Sequence, residues 1–325
     1  LVKINIPSSV KKIGFASFAE CLSLVEIEIP SSVTEIGRHA FEKCVSLKKI
    51  TIPSIKKIEE YTFYSCISLE RIEIPSSVTE IDTDAFGDCL SLAYIKIPPS
   101  VKKFTSVISG VKSLEVDGNI TKFPGGLISC NCKSLTQITI PSSVTSIGDS
   151  AFERCSSLIE IILPSSLEKI GNSAFYLCSS LAKIEIPPSV HTIGENAFNK
   201  CSSLTHISIP SSIHSLSNGL FLECTSLTQI EIPPSVTGIS ANAFDRCSSL
   251  KQIKLPSNLY YIGSEAFKSC SSLKEIEIPS SVEFFDDSIF SGCLSLEVVS
   301  IPSTFTFIPI RMFSGCSSLK KISIP

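Results

Sequence analysis

A chain of 325 residues with a net charge of −3, 43% hydrophobic and 18% charged residues is long enough to bury a large core, and it has no run of Lys or Arg able to track phosphates. Nucleic acid is therefore excluded as an expected partner. No stretch approaches the ~20 consecutive apolar residues that cross a bilayer, which excludes direct membrane insertion by a helix of this chain.

The chain is periodic from its start. A proline closes each unit at Pro7, Pro30, Pro53, Pro75 and Pro98, and after a break the prolines recur at one even interval, from Pro141, Pro164 and Pro187 through to Pro325. The first complete unit shows the parts in order. Ser23 to Pro30 alternates Ile27 and Ile29 with Glu26 and Glu28, a half-buried strand of period two that ends where proline removes a ladder donor. Val33 and Ile36 are then expected to point back into the core. Gly37 is expected to permit a turn, and Ala40-Phe41 to open one short helical or 3-10 turn on the far side. Such a unit cannot bury its apolar face alone, and a period of 20–29 with fixed Leu and Ile positions marks a leucine-rich coil that stacks on its neighbours. The predicted fold is an α/β repeat solenoid: a right-handed leucine-rich repeat coil with a parallel concave β-sheet and helical, 3-10 or extended segments on the convex side. One domain is expected over 1–325, of about 14 coils. Leu1 enters partway through a strand motif, so caps, signal and anchor are expected outside this segment.

Two residue types occupy single columns. Twelve phenylalanines, from Phe18, Phe41 and Phe63 to Phe290 and Phe313, are expected to stack as a buried spine. Thirteen of the fourteen cysteines share another column, from Cys21 to Cys316, and there is no C-x-x-C pair of the zinc or redox kind. Side chains in one column point the same way, so a ladder of buried reduced thiols is expected, with the extra Cys130 the reactive one. The repeated Ser-Ser turn is expected to satisfy backbone groups with its hydroxyls. Glu168, His191 and His214 fall in one column on successive rungs, a weak metal pattern in a strip that elsewhere holds Lys11, Thr34 and Thr79. No metal, no cofactor and no catalytic residue are assigned, and no enzyme is expected.

Two departures break the repeat. Between Pro98 and Pro141 one unit is cut short and the next is slightly lengthened, with irregular coils over 99–132 that lose the Ala-Phe pair. A kink is expected there, either a tolerated deletion, with Phe104 and Val107 as the remaining apolar candidates, or a binding notch around Pro124-Gly125-Gly126. The N-x-T sequon Asn119-Ile120-Thr121 lies within it. Further on, a column that is polar or small elsewhere becomes Tyr261, Phe284 and Phe307, with Tyr260 and Ile310 nearby. That exposed aromatic patch is read as a contact to a neighbouring cap or domain, a ligand site, or a site of self-association.

The unit Ile140-Pro-Ser-Ser-Val-Thr-Ser-Ile-Gly-Asp-Ser-Ala-Phe-Glu-Arg-Cys-Ser-Ser-Leu158 resembles the BspA-like leucine-rich repeat, over essentially the whole chain. The resemblance implies a curved solenoid and a non-enzymatic recognition or adhesion protein at the cell surface or outside the cell. It also implies a host, matrix or microbial protein or glycan as ligand, and the concave sheet as its binding face. An intracellular scaffold using the same face is the alternative. The outward residues of that face singled out here are Glu26, Glu28, Arg71, Glu73, Tyr94, Lys96, Glu160, Glu185, His206, Glu231, Lys254, Glu275 and Glu277. Glutamate outnumbers lysine six to two in the second outward column, which is read either as a face for a basic protein partner or as a solvated charged sheet with no partner.

Overall fold

The computed structural model describes residues 3–104, 113–116, 122–123, 135–303 and 305–323. It is a parallel β-solenoid in which each regular coil has two strand positions. The expected strand is present: Lys3–Asn5 pairs with Glu26–Glu28, which pairs with Lys49–Thr51, and the register advances by one sequence unit per coil. Its inward residues Ile27 and Ile50 are buried and the outward Glu28 and Thr51 exposed. The short coil keeps this register, because Tyr94–Ile97 pairs with Ser113–Val116 residue for residue. Val107, the Pro124-Gly125-Gly126 turn, the sequon at Asn119, Cys130 and Cys132 lie outside the described residues.

Val33 and Ile36 point into the core as expected, and the x-Ile pair ending at Ile36 is itself a strand. Lys12–Ile13 pairs with Glu35–Ile36, and the same position pairs coil to coil from Lys57–Ile58 to Lys103–Phe104 and again from Lys122–Phe123 to Thr192–Ile193. A two-residue strand is too short to show a period of its own, which is why the sequence conceals this second sheet.

The convex side corrects the helical expectation. Among the described residues there is no α or 3-10 turn. Instead each coil makes tight turns with two residues four apart in the left-handed region, for example His39 (φ 58°) and Lys43 (φ 55°). A helix would direct every N–H to a carbonyl within its own segment. Here His39, Phe41 and Lys43 donate instead to Glu60, Thr62 and Tyr64 of the next coil, at 2.7–3.1 Å. Ala40, Glu42 and Cys44 close the local turns through bonds to Gly37, His39 and Phe41. Alternate donors thus join coils, and this leaves no helical ladder to propagate.

The phenylalanine spine is present wherever its members are described. Phe152, Phe175 and Phe198 stack at 5.3 and 5.4 Å with planes within 3° of parallel. Phe123, which sits at an isoleucine strand position, swings into this spine and stacks on Phe152 at 5.1 Å. Phe104 is buried at the equivalent position.

Glycine in the repeat does something other than permit a left-handed turn. Gly37 and Gly194 do not have left-handed backbone. A Cβ on Gly194 would meet Asn172 N at 2.5 Å and Gly171 C at 2.6 Å, so glycine there allows one coil's backbone to lie on the next. Ser217 and Ser240 follow in the same column, so the coil spacing adjusts to a side chain at limited expense. Gly194→Ala is accordingly expected to lower stability by about 1 kcal/mol in urea unfolding. An unchanged midpoint would show that the close approach does not limit this site.

Candidate functional site

The outward face of the first-strand sheet holds a depression of ≈ 1170 Å³ spanning five coils, from His206 to Ser300. Its floor is set by the inward-pointing Ile230, Ile253 and Ile276, whose burial fixes which neighbours must face out. Those neighbours are His206, Gln229, Glu231, Gln252, Lys254, Glu275 and Glu277, all exposed. Parallel pairing places Glu231 beside Lys254, Glu275 beside Val298 and Glu277 beside Ser300. Among the described residues, Glu231, Lys254, Glu275, Glu277 and His206 make no ion pair. Three carboxylates against one ammonium leave the depression acidic.

The residues singled out nearer the N-terminus lie on the same face but are partnered there. Arg71 donates to Glu73 at 2.9 Å and its guanidinium lies 4.9 Å from the Tyr94 ring centre. Glu160 accepts a bond from Gln137 at 3.2 Å. Lys183 and Glu185 bond at 2.6 Å, and that bond holds the Glu185 carboxyl below its usual range. Glu26 and Lys96 are half-buried and Glu28 is exposed, beside Lys49, Glu73 and Thr51 in register. The structure thus gathers His206, Glu231, Lys254, Glu275 and Glu277 into one hollow, and the other eight do not line it. Gln229, Gln252 and Val298 line the hollow and were not singled out. Their place in the outward column was legible; the hollow was not, since it is formed by side chains of five successive coils together.

The aromatic patch lies elsewhere, on the outward side of the second sheet. Tyr261 pairs in register with Phe284, and Tyr260 meets the Phe284 ring edge-on at 5.0 Å. The Tyr261 hydroxyl donates to Asp286 Oδ2 at 2.6 Å. Burial first, then this bond, raises the hydroxyl to about 12. Phe307 and Ile310 are exposed in the following coil.

The column cysteines, most of the turn serines and two of the histidines are engaged in the scaffold. Cysteine Sγ atoms donate across coils to phenylalanine carbonyls, as Cys201 does to Phe175 at 3.2 Å. Burial pushes these thiols up, to about 12 at Cys44, Cys89 and Cys293, which keeps them in the unreactive protonated form. Turn serines such as Ser189 and Ser235 bond backbone carbonyls of the preceding coil, to Leu167 and Ile213, whereas the buried hydroxyls of Ser77 and Ser100 have no partner among the described residues. His191 Nδ1 lies 2.7 Å from the Glu168 carbonyl, one coil back, and His214 Nδ1 lies 3.3 Å from the Ser235 carbonyl, one coil forward. The two rings lean apart, which disperses the Glu168, His191 and His214 column as a ligand set. Among the described residues no group of three His, Cys, Asp or Glu is arranged to hold a metal ion. No helix among them is long and apolar enough to cross a membrane.

Against known proteins, the model of the BspA type leucine rich repeat region matches residues 1–108, 129–251 and 237–325, in 6 copies. A solved leucine-rich repeat protein from Bacteroides ovatus is similar at 31% identity and a TM-score of 0.88, over 99% of this chain and 86% of that one. A leucine rich cell surface protein from Faecalibacterium prausnitzii is similar at 29% identity and a TM-score of 0.50, over 100% of this chain and 88% of that one. A leucine-rich repeat protein from Eubacterium ventriosum shares the fold at 24% identity and a TM-score of 0.57, over 95% and 85% of the two chains. No curated protein matches the chain.

Proposed function

Since the chain belongs to the BspA-type leucine-rich repeat family, we propose that it is a non-enzymatic recognition module that binds a protein ligand in the sheet hollow between His206 and Ser300. The observation that carries this reading is the hollow itself: a depression built on rigid strands and lined by charged and amide side chains not tied to one another. Its three carboxylates favour a basic segment of the partner, drawn in by the field and held by charge-assisted hydrogen bonds. Display at the cell surface is supported by the description of the Faecalibacterium prausnitzii protein as a cell surface protein.

The test is capture on immobilised chain from matrix and cell-surface extract and, in parallel, from cytosolic extract. A retained matrix or surface protein should lose about tenfold or more in affinity for the Glu231→Lys, Glu277→Lys double variant, as two reversed charges face it. Retention that ignores both reversals would remove the hollow as the site. Partners drawn from cytosolic extract alone would replace surface display with an intracellular scaffold.

A further inference from the structure

The outward column of the second sheet changes character along the solenoid. In the N-terminal coils it alternates in sign and neutralises itself. Lys12 bonds Glu35 at 2.6 Å, Lys57 bonds Asp82 at 2.8 Å, and Lys103 bonds both Glu80 and Asp82. In the C-terminal coils the same column is Tyr261, Phe284 and Phe307. There Tyr260 is 46% exposed, Phe284 53% and Phe307 62%, over three successive coils.

The charged side chains nearest in sequence to Phe284 are carboxylates, with one guanidinium, Arg311, in the following coil. Glu283, Asp286 and Asp287 are exposed in the Phe284 coil, and among the described residues none of them forms an ion pair. Arg311, exposed in the next coil, makes none with them either. Two of the carboxylates are already fixed in place: Asp286 accepts from the Tyr261 hydroxyl, and Asp287 Oδ1 accepts from the Ile310 N–H at 3.0 Å. A carboxylate has about four acceptor positions, so each retains capacity for a further donor.

We infer that this patch is a second docking surface, distinct from the sheet hollow, for a protein segment that carries lysine or arginine beside aliphatic side chains. The chemistry is complementary on both counts. Ring faces attract a cation and take apolar side chains, while the fixed carboxylates accept charge-assisted hydrogen bonds without first having to be ordered. An acidic segment would cover the rings only by bringing like charges together and desolvating carboxylates that it cannot pair.

The experiment uses two fluorescent octapeptides, one alternating leucine with arginine and one alternating leucine with glutamate, titrated with the intact chain. The arginine peptide should bind about tenfold or more tightly than the glutamate peptide. That binding should fall about tenfold or more in Phe284→Ser, Phe307→Ser, and should weaken in the single surface variant Glu283→Lys, which reads the charge without touching the rings. It should persist in Glu231→Lys, Glu277→Lys, so failure here and failure of the hollow are separable. Equal binding of the two peptides, or full binding after loss of both rings, would overturn the inference. So would a dimer in sedimentation that dissociates only in the ring variant, because the occupant would then be a second copy of the chain.

Discussion

Phe198→Ala is expected to cost about 3–5 kcal/mol. The ring is fully buried between Phe175 at 5.4 Å and Phe221 at 5.8 Å. Its removal loses the transfer energy of the ring, leaves a cavity, and strips one stacked face from each neighbour, worth about 0.5–1.5 kcal/mol per pair. The neighbours cannot collapse into the gap, since Phe198 N–H donates to Leu220 and its carbonyl accepts from Cys224 Sγ at 3.1 Å, which pins the coil spacing. In a solenoid whose stability is a sum of coil and interface contributions, the damage is local. Urea unfolding followed by circular dichroism should therefore show a broadened or split transition at lower urea. Phe15→Ala, removing a ring that is 73% exposed, should stay within about 0.5 kcal/mol of the parent chain. A Phe198→Ala chain unfolding within about 1 kcal/mol of the parent would mean that the spine contributes little beyond filling space.

The second large effect is a gain. Asp245 is 5% exposed on the convex side and its Oδ1 has no hydrogen-bond partner. Burial raises its carboxyl from 3.8 to about 6, against the smaller opposing pull of Lys268 and Arg246. The preceding coil carries Leu222 at this position, so the site accepts an aliphatic side chain. A rise of that size corresponds to roughly 3 kcal/mol, and about half of it is expected to survive solvent screening at the carboxylate. Asp245→Leu should then be more stable than the parent by about 1–2 kcal/mol at pH 8.

The sign of the pH dependence follows from the raised value. Below 3.8 the carboxyl is protonated in both folded and unfolded chains and the charge penalty is absent. As pH rises through about 6 the folded state must ionise a buried group, and stability is lost. The difference between Asp245→Leu and the parent should therefore be full above pH 7 and shrink toward pH 4, measured as urea midpoints across that range. A difference that is constant with pH would assign the gain to packing alone.

How much of this was legible depends on the distance over which each feature is encoded. The strand Glu26–Glu28 was readable because burial of Ile27 between exposed neighbours is a local, period-two requirement. Phe198 and Cys201 were readable as core because their columns recur once in every unit. The convex side was misread from Ala40-Phe41, since spacing of apolar residues by three or four suits a helix and a chain of tight turns alike. What separates the two is whether His39, Phe41 and Lys43 donate within the coil or to the next one. Asp245 carried no signal, since its column also holds Glu42, Glu153 and Lys268, and the missing partner of its Oδ1 was not visible in the sequence. The site was half legible: outward columns could be written down, while the hollow from His206 to Ser300 depends on how side chains of five coils sit together.

By itself, then, the sequence determined the repeat, the inward columns of Ile, Leu, Phe and Cys, and the two outward columns of the main sheet. Burying apolar side chains at fixed intervals admits few other arrangements of so short a unit. Only the tertiary structure decided the second sheet, the turns in place of helix, the divergence of His191 and His214, and the grouping of Glu231, Lys254, Glu275 and Glu277. The physical reason is that these rest on hydrogen bonds and registers between residues about one coil apart. A side-chain pattern specifies which way each residue faces, whereas the coil-to-coil bonds specify what it meets.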